Sequence, residues 1–435
     1  MRKKQDKMNP KENRILINAM VIHPNYGSEF GFPWFWLLEL SKQNLIIEVI
    51  SGVHEDNIQV IEELLKKKKI NNLTFHFIPF SKPIGFSIFK KKRTPLLFIQ
   101  TTLKYWIWHW KAYKLGKRIC SINNVDVVHQ LNTIGFRLPG FMGLIKKPFV
   151  WGPIGGGEQY PLNFLSHLNQ KGKLHLLSYN LINYIEWNFA PYINWCLIRA
   201  NALISSTSEL SEMTKTKKFI RSEKVFHIPE TACLGSQQYH KPIKNKATPF
   251  RIAVVCFFQH RKNLPFLFDA IKQIDSKELE VKICGEGPSD SYFREYAKKL
   301  QLKNIQWLGW TDKLEGIAQI KKADVLIMPT IREANTNVIF EALGVSTPVI
   351  CIDVSGMKDT ITNNYNGFKI KQNKDRNIMV QELAQRITSM MESPELVSKL
   401  SEGALKSANN NLYANRINAL MPIYMEAYQR FHNIY

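Results

Sequence analysis

Arg332-Glu333-Ala334-Asn335-Thr336-Asn337-Val338-Ile339-Phe340-Glu341-Ala342-Leu343-Gly344 follows the apolar run Val325-Leu326-Ile327-Met328 and its closing Pro329, and sets two carboxylates eight positions apart. Four consecutive apolar residues ended by proline read as a short buried strand. Eight residues is slightly over two helical turns, so a helix starting near Asn335 carries Glu341 on its second turn and leaves Glu333 in the loop before it. The first turn of that helix offers free backbone N–H groups and the positive end of the dipole, surrounded by polar Asn335, Thr336 and Asn337. A nucleotide diphosphate suits such a place.

The same alternation of short apolar runs and helical stretches continues through both halves of the chain, the pattern of doubly wound α/β sheets. Strands are expected at 14–21, 46–51, 73–78, 126–130, 149–152, 202–206 and 225–228, then at 252–256, 280–284, 305–309, 324–328, 348–351 and 367–370. The polar, proline-bounded segment Lys241-Pro242-Ile243-Lys244-Asn245-Lys246-Ala247-Thr248-Pro249 separates the two sets and reads as a linker. A length of 435 residues fits two cores rather than one. The expected division is 1–240, 241–415 and a last helix, 416–435, with Leu420, Ile423, Tyr424, Ala427, Tyr428 and Phe431 at helical spacing. Two such sheets predict a ligand cleft at the carboxyl ends of their strands.

The stretch 333–341 resembles the E-x7-E motif of glycosyltransferase family 4, retaining nucleotide-sugar-dependent transferases of GT-B fold, in which two Rossmann-like domains face across a deep cleft. Gly344-Val345-Ser346-Thr347-Pro348-Val349-Ile350-Cys351 and then Gly356 extend the resemblance, which covers most of residues 250–370. It implies that Glu333 contacts hydroxyls of the donor sugar and that Glu341 holds the ribose. It also implies an acceptor-binding first domain, a donor-binding second domain, and a last helix that crosses back to the first.

Further motifs lie at strand ends. Phe257-Phe258-Gln259-His260-Arg261-Lys262-Asn263 puts two adjacent cations after a strand, where they can neutralise a leaving diphosphate. It resembles the family's RKN segment, which makes Lys262 the main phosphate cation. The family's usual arginine five residues earlier is Phe257 here, and Arg261 is the candidate replacement. Gly285 and Gly287 form a "G.GP" turn, and Gly309 with Trp310 lies where the family's donor base docks. In the first half, Pro24-Asn25-Tyr26-Gly27-Ser28-Glu29-Phe30-Gly31 follows the first strand and resembles the family's glycine-rich loop, implying donor contacts from Gly27 and Ser28 and acceptor contacts from Glu29. Asp126-Val127-Val128-His129-Gln130 resembles the "DVVH" strand end, which implies that His129 faces the donor sugar. Gly156, Gly157 and Glu158, in a loop after another strand, are acceptor candidates.

Net charge is +23, about half of it within the first 120 residues. The cluster Lys90-Lys91-Lys92-Arg93 precedes Leu96 to Ile99 and the tryptophans at 106, 108 and 110, a combination suited to an anionic membrane surface. The same charge would attract nucleic acid, which is not the expected partner. No apolar run is long enough to span a bilayer, and the run 15–22 reads as a first Rossmann strand rather than a signal peptide. The six cysteines, widely scattered and without CxxC pairing, read as reduced thiols. A cytoplasmic protein, peripheral on the inner membrane face, is expected.

No Asp-x-Asp motif and no metal-ligand spacing occurs, so the expected chemistry needs no metal and no cofactor, with a nucleotide-diphosphate sugar as donor substrate. The resemblance implies hexosyl transfer with retention to a lipid-linked or oligosaccharide acceptor in surface or capsular polysaccharide synthesis. A nucleotide-sugar epimerase, a phosphorylase of the same architecture and a non-catalytic partner subunit are the alternatives. Nothing resembles a pyridoxal-binding lysine segment, which disfavours the phosphorylase, and Phe257 is the one feature favouring a non-catalytic chain.

Overall fold

The computed structural model describes residues 13–54, 56–80, 95–168, 170–235 and 249–433. The chain separates into two compact units. The first comprises Met1–Gly157, Ile185–Glu230 and Tyr413–Tyr435, and the second Glu158–Tyr184 and Thr231–Leu412.

The first unit holds strands β1 (Asn13–Ala19), β2 (Leu45–Val53), β3 (Leu73–Pro79), β4 (Val127–Asn132), β5 (Phe149–Ile154), β6 (Ala202–Ser205) and β7 (Val225–His227). They form one parallel sheet in the order β3-β2-β1-β4-β5-β6-β7. Parallel strands are covered by helices on both faces, which is why these segments are almost continuously apolar. Ile15, Leu16, Ile17, Val127 and Val128 have no exposed surface. Helices α1 (Ser28–Leu40), α2 (Asn57–Lys68), α3 (Pro95–Ile122), the carboxyl part of α4 (Gln170–Phe189), α5 (Pro191–Arg199) and α6 (Ser208–Lys215) belong to this unit.

The second unit holds β8 (Phe250–Val255), β9 (Leu279–Cys284), β10 (Ile305–Gly309), β11 (Val325–Met328), β12 (Val349–Ile352) and β13 (Gly367–Ile370). This sheet is also parallel, in the order β10-β9-β8-β11-β12-β13. Its helices are α7 (Leu264–Ile274), α8 (Asp290–Lys299), α9 (Lys313–Lys322), α10 (Asn337–Gly344), α11 (Ser355–Thr360), α12 (Arg376–Glu392) and α13 (Pro394–Asn410). In both sheets the winding reverses beside the first strand, between β1 and β4 in one and between β8 and β11 in the other. Such a switch point leaves an open crevice at the carboxyl ends of the strands.

All thirteen expected strands are present, with ends differing by a few residues at most. The expected cuts at 240 and 415 differ from the observed division. Residues 158–184 pack with the second unit, where Tyr160, Phe164 and Leu176 join its core, and the crossing back falls after Glu230. The last helix, α14 (Tyr413–His432), packs in the first unit: Tyr413 lies 5.2 Å from Phe35, and Arg430 donates to the carbonyls of Asn201 and Glu223. Residues 241–248 of the expected linker and the basic cluster 90–93 lie outside the described residues. Of the tryptophans expected at a membrane, Trp108 is core and Trp110 is exposed.

Candidate active site

The second unit's switch point gathers the charged residues. The turn after β8 carries Gln259-His260-Arg261-Lys262-Asn263, and the loop after β11 carries Ile331 to Thr336. The two are tied by a backbone bond from Ile331 N to Arg261 O (3.0 Å). Arg261 Nη1 and Lys262 Nζ both donate to Glu333 Oε2, the latter at 2.5 Å. Arg261 Nη1 donates as well to the carbonyl of Arg332. Arg261 therefore turns inward, onto the carboxylate. Lys262 is buried. Burial alone would push the Glu333 carboxyl up, but Lys262 and Arg261 outweigh it and hold the group at about 2. The result is an ionised triad of net charge +1.

Glu333 stays in the loop, and Thr336 caps α10 with extended backbone angles, so the helix begins at Asn337 and places Glu341 on its second turn. The Asn337 side chain is engaged from behind by the Thr231 hydroxyl. Burial raises the pKa of Glu341, opposed by Lys313 at 3.9 Å. Gly356 sets how close the loop lies to α11: a side-chain carbon there would sit 1.7 Å from Ala334 O and 2.5 Å from Asn335 Oδ1. Its N–H donates to Glu333 O (3.2 Å).

Gly285, Gly287, Gly309 and Trp310 meet at the neighbouring strand ends. Gly285 N donates to Gly309 O (2.7 Å), Phe258 N donates to Glu286 O (2.9 Å), and the Trp310 ring is exposed. Gly285, at φ +140°, leaves no room for a side chain, since its β-carbon would fall 1.9 Å from Cys256 O. Three buried polar atoms near this end of the sheet have no hydrogen-bond partner among the described residues: Asn263 Nδ2, Ser289 Oγ and Thr330 Oγ1. Sequence reasoning missed Arg332. Its guanidinium donates to Glu158 O (2.9 Å) and to the Tyr179 hydroxyl and lies over both the Tyr160 and Tyr179 rings. Adjacency to Glu333 was the available signal.

In the first unit, Gly27 caps α1 with extended backbone angles, Ser28 is its first residue, and Glu29 accepts from Ile134 N (2.7 Å) just beyond β4. Burial raises the Glu29 pKa. His129 does not face a ligand as expected. It is fully buried, and both ring nitrogens are occupied: Nε2 donates to Gly152 O (2.6 Å), so Nδ1 accepts from Tyr424 Oη (2.7 Å). Burial lowers its pKa to about 4, leaving a neutral ring that ties β4 to β5 and α14. Gly156 and Gly157 end the first unit's loop. Glu158 is also buried, belongs to the second unit, and presents its backbone carbonyl to Arg332 rather than an open carboxylate. Sequence reasoning also missed a polar cluster at the ends of β1 and β4. Asn18 Nδ2 donates to Gln130 Oε1 (2.8 Å) and lies 3.3 Å from His109 Nδ1, while His109 Nε2 and Asn18 Oδ1 are buried without partners among the described residues.

Residues 236–407 match the family of group 1 glycosyl transferases. This segment is a group 1 glycosyltransferase domain. Among similar sequences, an uncharacterized glycosyltransferase of Methanocaldococcus jannaschii is 22% identical over 72% of this chain and 79% of its own length. A putative colanic acid biosynthesis glycosyltransferase of Escherichia coli is 26% identical over 36% of this chain, which spans 40% of that relative. Among solved structures, a glycosyltransferase from Rickettsia africae covers 96% of the chain with a TM-score of 0.61 at 17% identity. Anabaena HepE in complex with UDP and glucose covers 94% with a TM-score of 0.58 at 15% identity. The glycosyltransferase domain thus sits within a chain of GT-B fold, two Rossmann-like domains in succession. Glu333, Glu341, Arg261 and Lys262 all lie inside the matched segment.

Proposed function

We propose that this glycosyltransferase, of the family 4 type, moves a hexose with retention from a nucleotide-diphosphate sugar to a lipid-linked or oligosaccharide acceptor in bacterial surface or capsular polysaccharide synthesis. One observation carries the reading: Arg261, Lys262 and Glu333 converge at the second unit's switch point, where the fold opens its strand ends to a ligand. The carboxylate keeps two cations fixed in place before any ligand arrives, and the net positive triad beside the first turn of α10 suits a diphosphate. In this scheme Lys262, Arg261 and helix N–H groups meet the diphosphate charge without a metal or other cofactor. Glu333 orients the sugar hydroxyls, Glu341 takes the ribose, and Trp310 with Gly309 flanks the base. The bond from sugar C1 to the phosphate oxygen breaks, the acceptor oxygen bonds C1 on the same face, and the acceptor's proton passes to a leaving phosphate oxygen. No protein nucleophile is needed.

Glu29, Gly156 and Gly157 are the acceptor-side candidates in the first unit. The chain would act in the cytoplasm, held at the anionic inner face of the plasma membrane by its basic first half, with nucleic acid no partner. The test is donor hydrolysis: purified protein with UDP-, GDP-, ADP- and TDP-sugars, reading nucleotide release, beside Glu333→Ala. Release from one donor, absent in the variant, is the expected result. Silence across the panel with and without lipid-linked acceptors, and no nucleotide binding, would sink the reading.

A further inference from the structure

Residues 64–208 hold twenty Lys and Arg against three Asp and Glu, so one third of the chain carries +17 of its formal +23. None of the three acids is a free surface charge. The Asp126 carboxylate accepts from Arg14 N, Glu158 is buried, and Glu186 pairs with Arg137.

Within this basic stretch, α3 buries Tyr105, Trp108, Ala112 and Ile119 on one face and turns Leu103, Ile107 and Trp110 outward, 57%, 50% and 44% exposed. Spacings of four and three residues put those three on one stripe. The stripe continues as exposed Lys111, Lys114 and Lys117, and α3 contains no acidic residue. Lys114 Nζ lies 5.9 Å from the Trp110 ring centre. Helix α5 repeats the arrangement, with Ile193, Cys196 and Leu197 in the core and Tyr192, Trp195 and Ile198 exposed. The helices meet where Trp106 packs edge-on against Tyr192 (5.7 Å), and Phe141 packs edge-on against Trp110 at 5.4 Å. The outcome is one apolar and aromatic surface edged by lysines, all within the first unit.

A helix apolar on both faces belongs where both are covered, and an exposed apolar patch of this kind marks an interaction site. The charge selects the occupant. A second copy would bring the same excess of positive charge to the contact and be repelled. Protruding Leu, Ile and Trp side chains suit acyl chains, Tyr and Trp suit the headgroup level, and lysines suit anionic headgroups. We propose that the outward face of α3 and α5 docks on an anionic bilayer, with Ile107, Trp110 and Trp195 entering the interface and Lys111 and Lys114 at the headgroups. This rests on the peripheral-membrane reading above for the class of partner but not on the donor chemistry.

The test is flotation of the full chain with vesicles of phosphatidylcholine alone and of phosphatidylcholine with phosphatidylglycerol. The expected result is binding at least about tenfold tighter to the anionic vesicles, weakened about tenfold by Lys111→Glu with Lys114→Glu and similarly by Ile107→Ser with Trp110→Ser. Both variants should keep vesicle-free donor hydrolysis and the wild-type circular dichroism. Should the apolar variant misfold, the lysine variant alone decides. Equal binding to neutral vesicles, no binding at all, or anionic binding untouched by the lysine variant would overturn the proposal. So would an Ile107→Ser, Trp110→Ser variant that turns a dimer into a monomer while the wild type fails to float. Flotation without donor hydrolysis would leave this inference standing and remove the reading of the donor site.

Discussion

Glu333 has one oxygen serving two cations, and this makes its contribution measurable apart from catalysis. Its folded pKa, about 2, lies below the ordinary 4.5, so its stabilisation is complete above about pH 4.5 and is lost as pH falls toward 2. The difference corresponds to up to about 3 kcal/mol. Glu333→Gln should flatten the stability profile between those limits, read by urea unfolding, and cut donor turnover at least about a hundredfold. An unchanged profile would mean that the ion triad contributes nothing to the fold. His129 gives the opposite expectation. As a neutral buried ring bonded on both sides it belongs to packing, so His129→Asn should lower Tm by several degrees while turnover per folded molecule stays within about threefold. A hundredfold loss of turnover without a Tm change would return it to the active site. The difference between the two residues explains what the sequence made legible. Glu333 and the cations it binds each follow a strand end, so local pattern located them. His129 is defined by Tyr424, 295 positions away, and nothing near it in sequence announces that partner.

At the scale of elements, the loop from Glu333 to Thr336 is held from below by α11. Gly356→Ala would drive a methyl group into Ala334 O and displace the carboxylate loop. The expected cost is about 1–3 kcal/mol in stability, with donor affinity falling more than the stability loss explains. Isothermal titration with the nucleotide product checks this, and unchanged affinity would show that the loop is not the donor contact. Strands were legible because parallel pairing buries both faces and leaves continuous apolar runs. The segment 158–184 was not. Its allegiance to the second unit is decided by Tyr160 and Tyr179 stacking on Arg332, a contact between residues over 150 positions apart. The aromatics of this region were legible from their spacing, while their division into core and exposed faces required the helix α3 itself.

For the whole molecule, the two units carry different acid limits. The first holds two buried histidines kept neutral, His129 at about 4 and His109 at about 3, both lowered chiefly by burial. Unfolding lets them take up protons near the ordinary 6.5, so their contribution is present above that pH and drains away as pH falls toward 4 and 3. Glu29, with its raised pKa, works the other way, but it is one group against two. In the second unit Glu333 begins to lose its share only below about 4.5, and the half-buried His260, lowered by the same cause as the two first-unit histidines, is opposed by Glu341, whose pKa burial raises. Scanning calorimetry from pH 7 to 4.5 should therefore show the first unit's transition moving to lower temperature ahead of the second's. Parallel movement of both would contradict the assignment.

The placement of α14 has a consequence for how the molecule is made. Its Tyr413, Tyr424 and Arg430 complete the surfaces of α1, β4 and β6, which are translated hundreds of codons earlier. The amino-terminal unit therefore leaves the ribosome first yet must wait for the final segment, with its newborn sheet uncovered along one side. The carboxyl-terminal unit, whose last contribution ends at Leu412, has every piece in hand sooner. Synthesis runs from front to back, and completion runs in the reverse order, so a released chain truncated just before Tyr413 should present a finished second unit and a first one still open to chaperones.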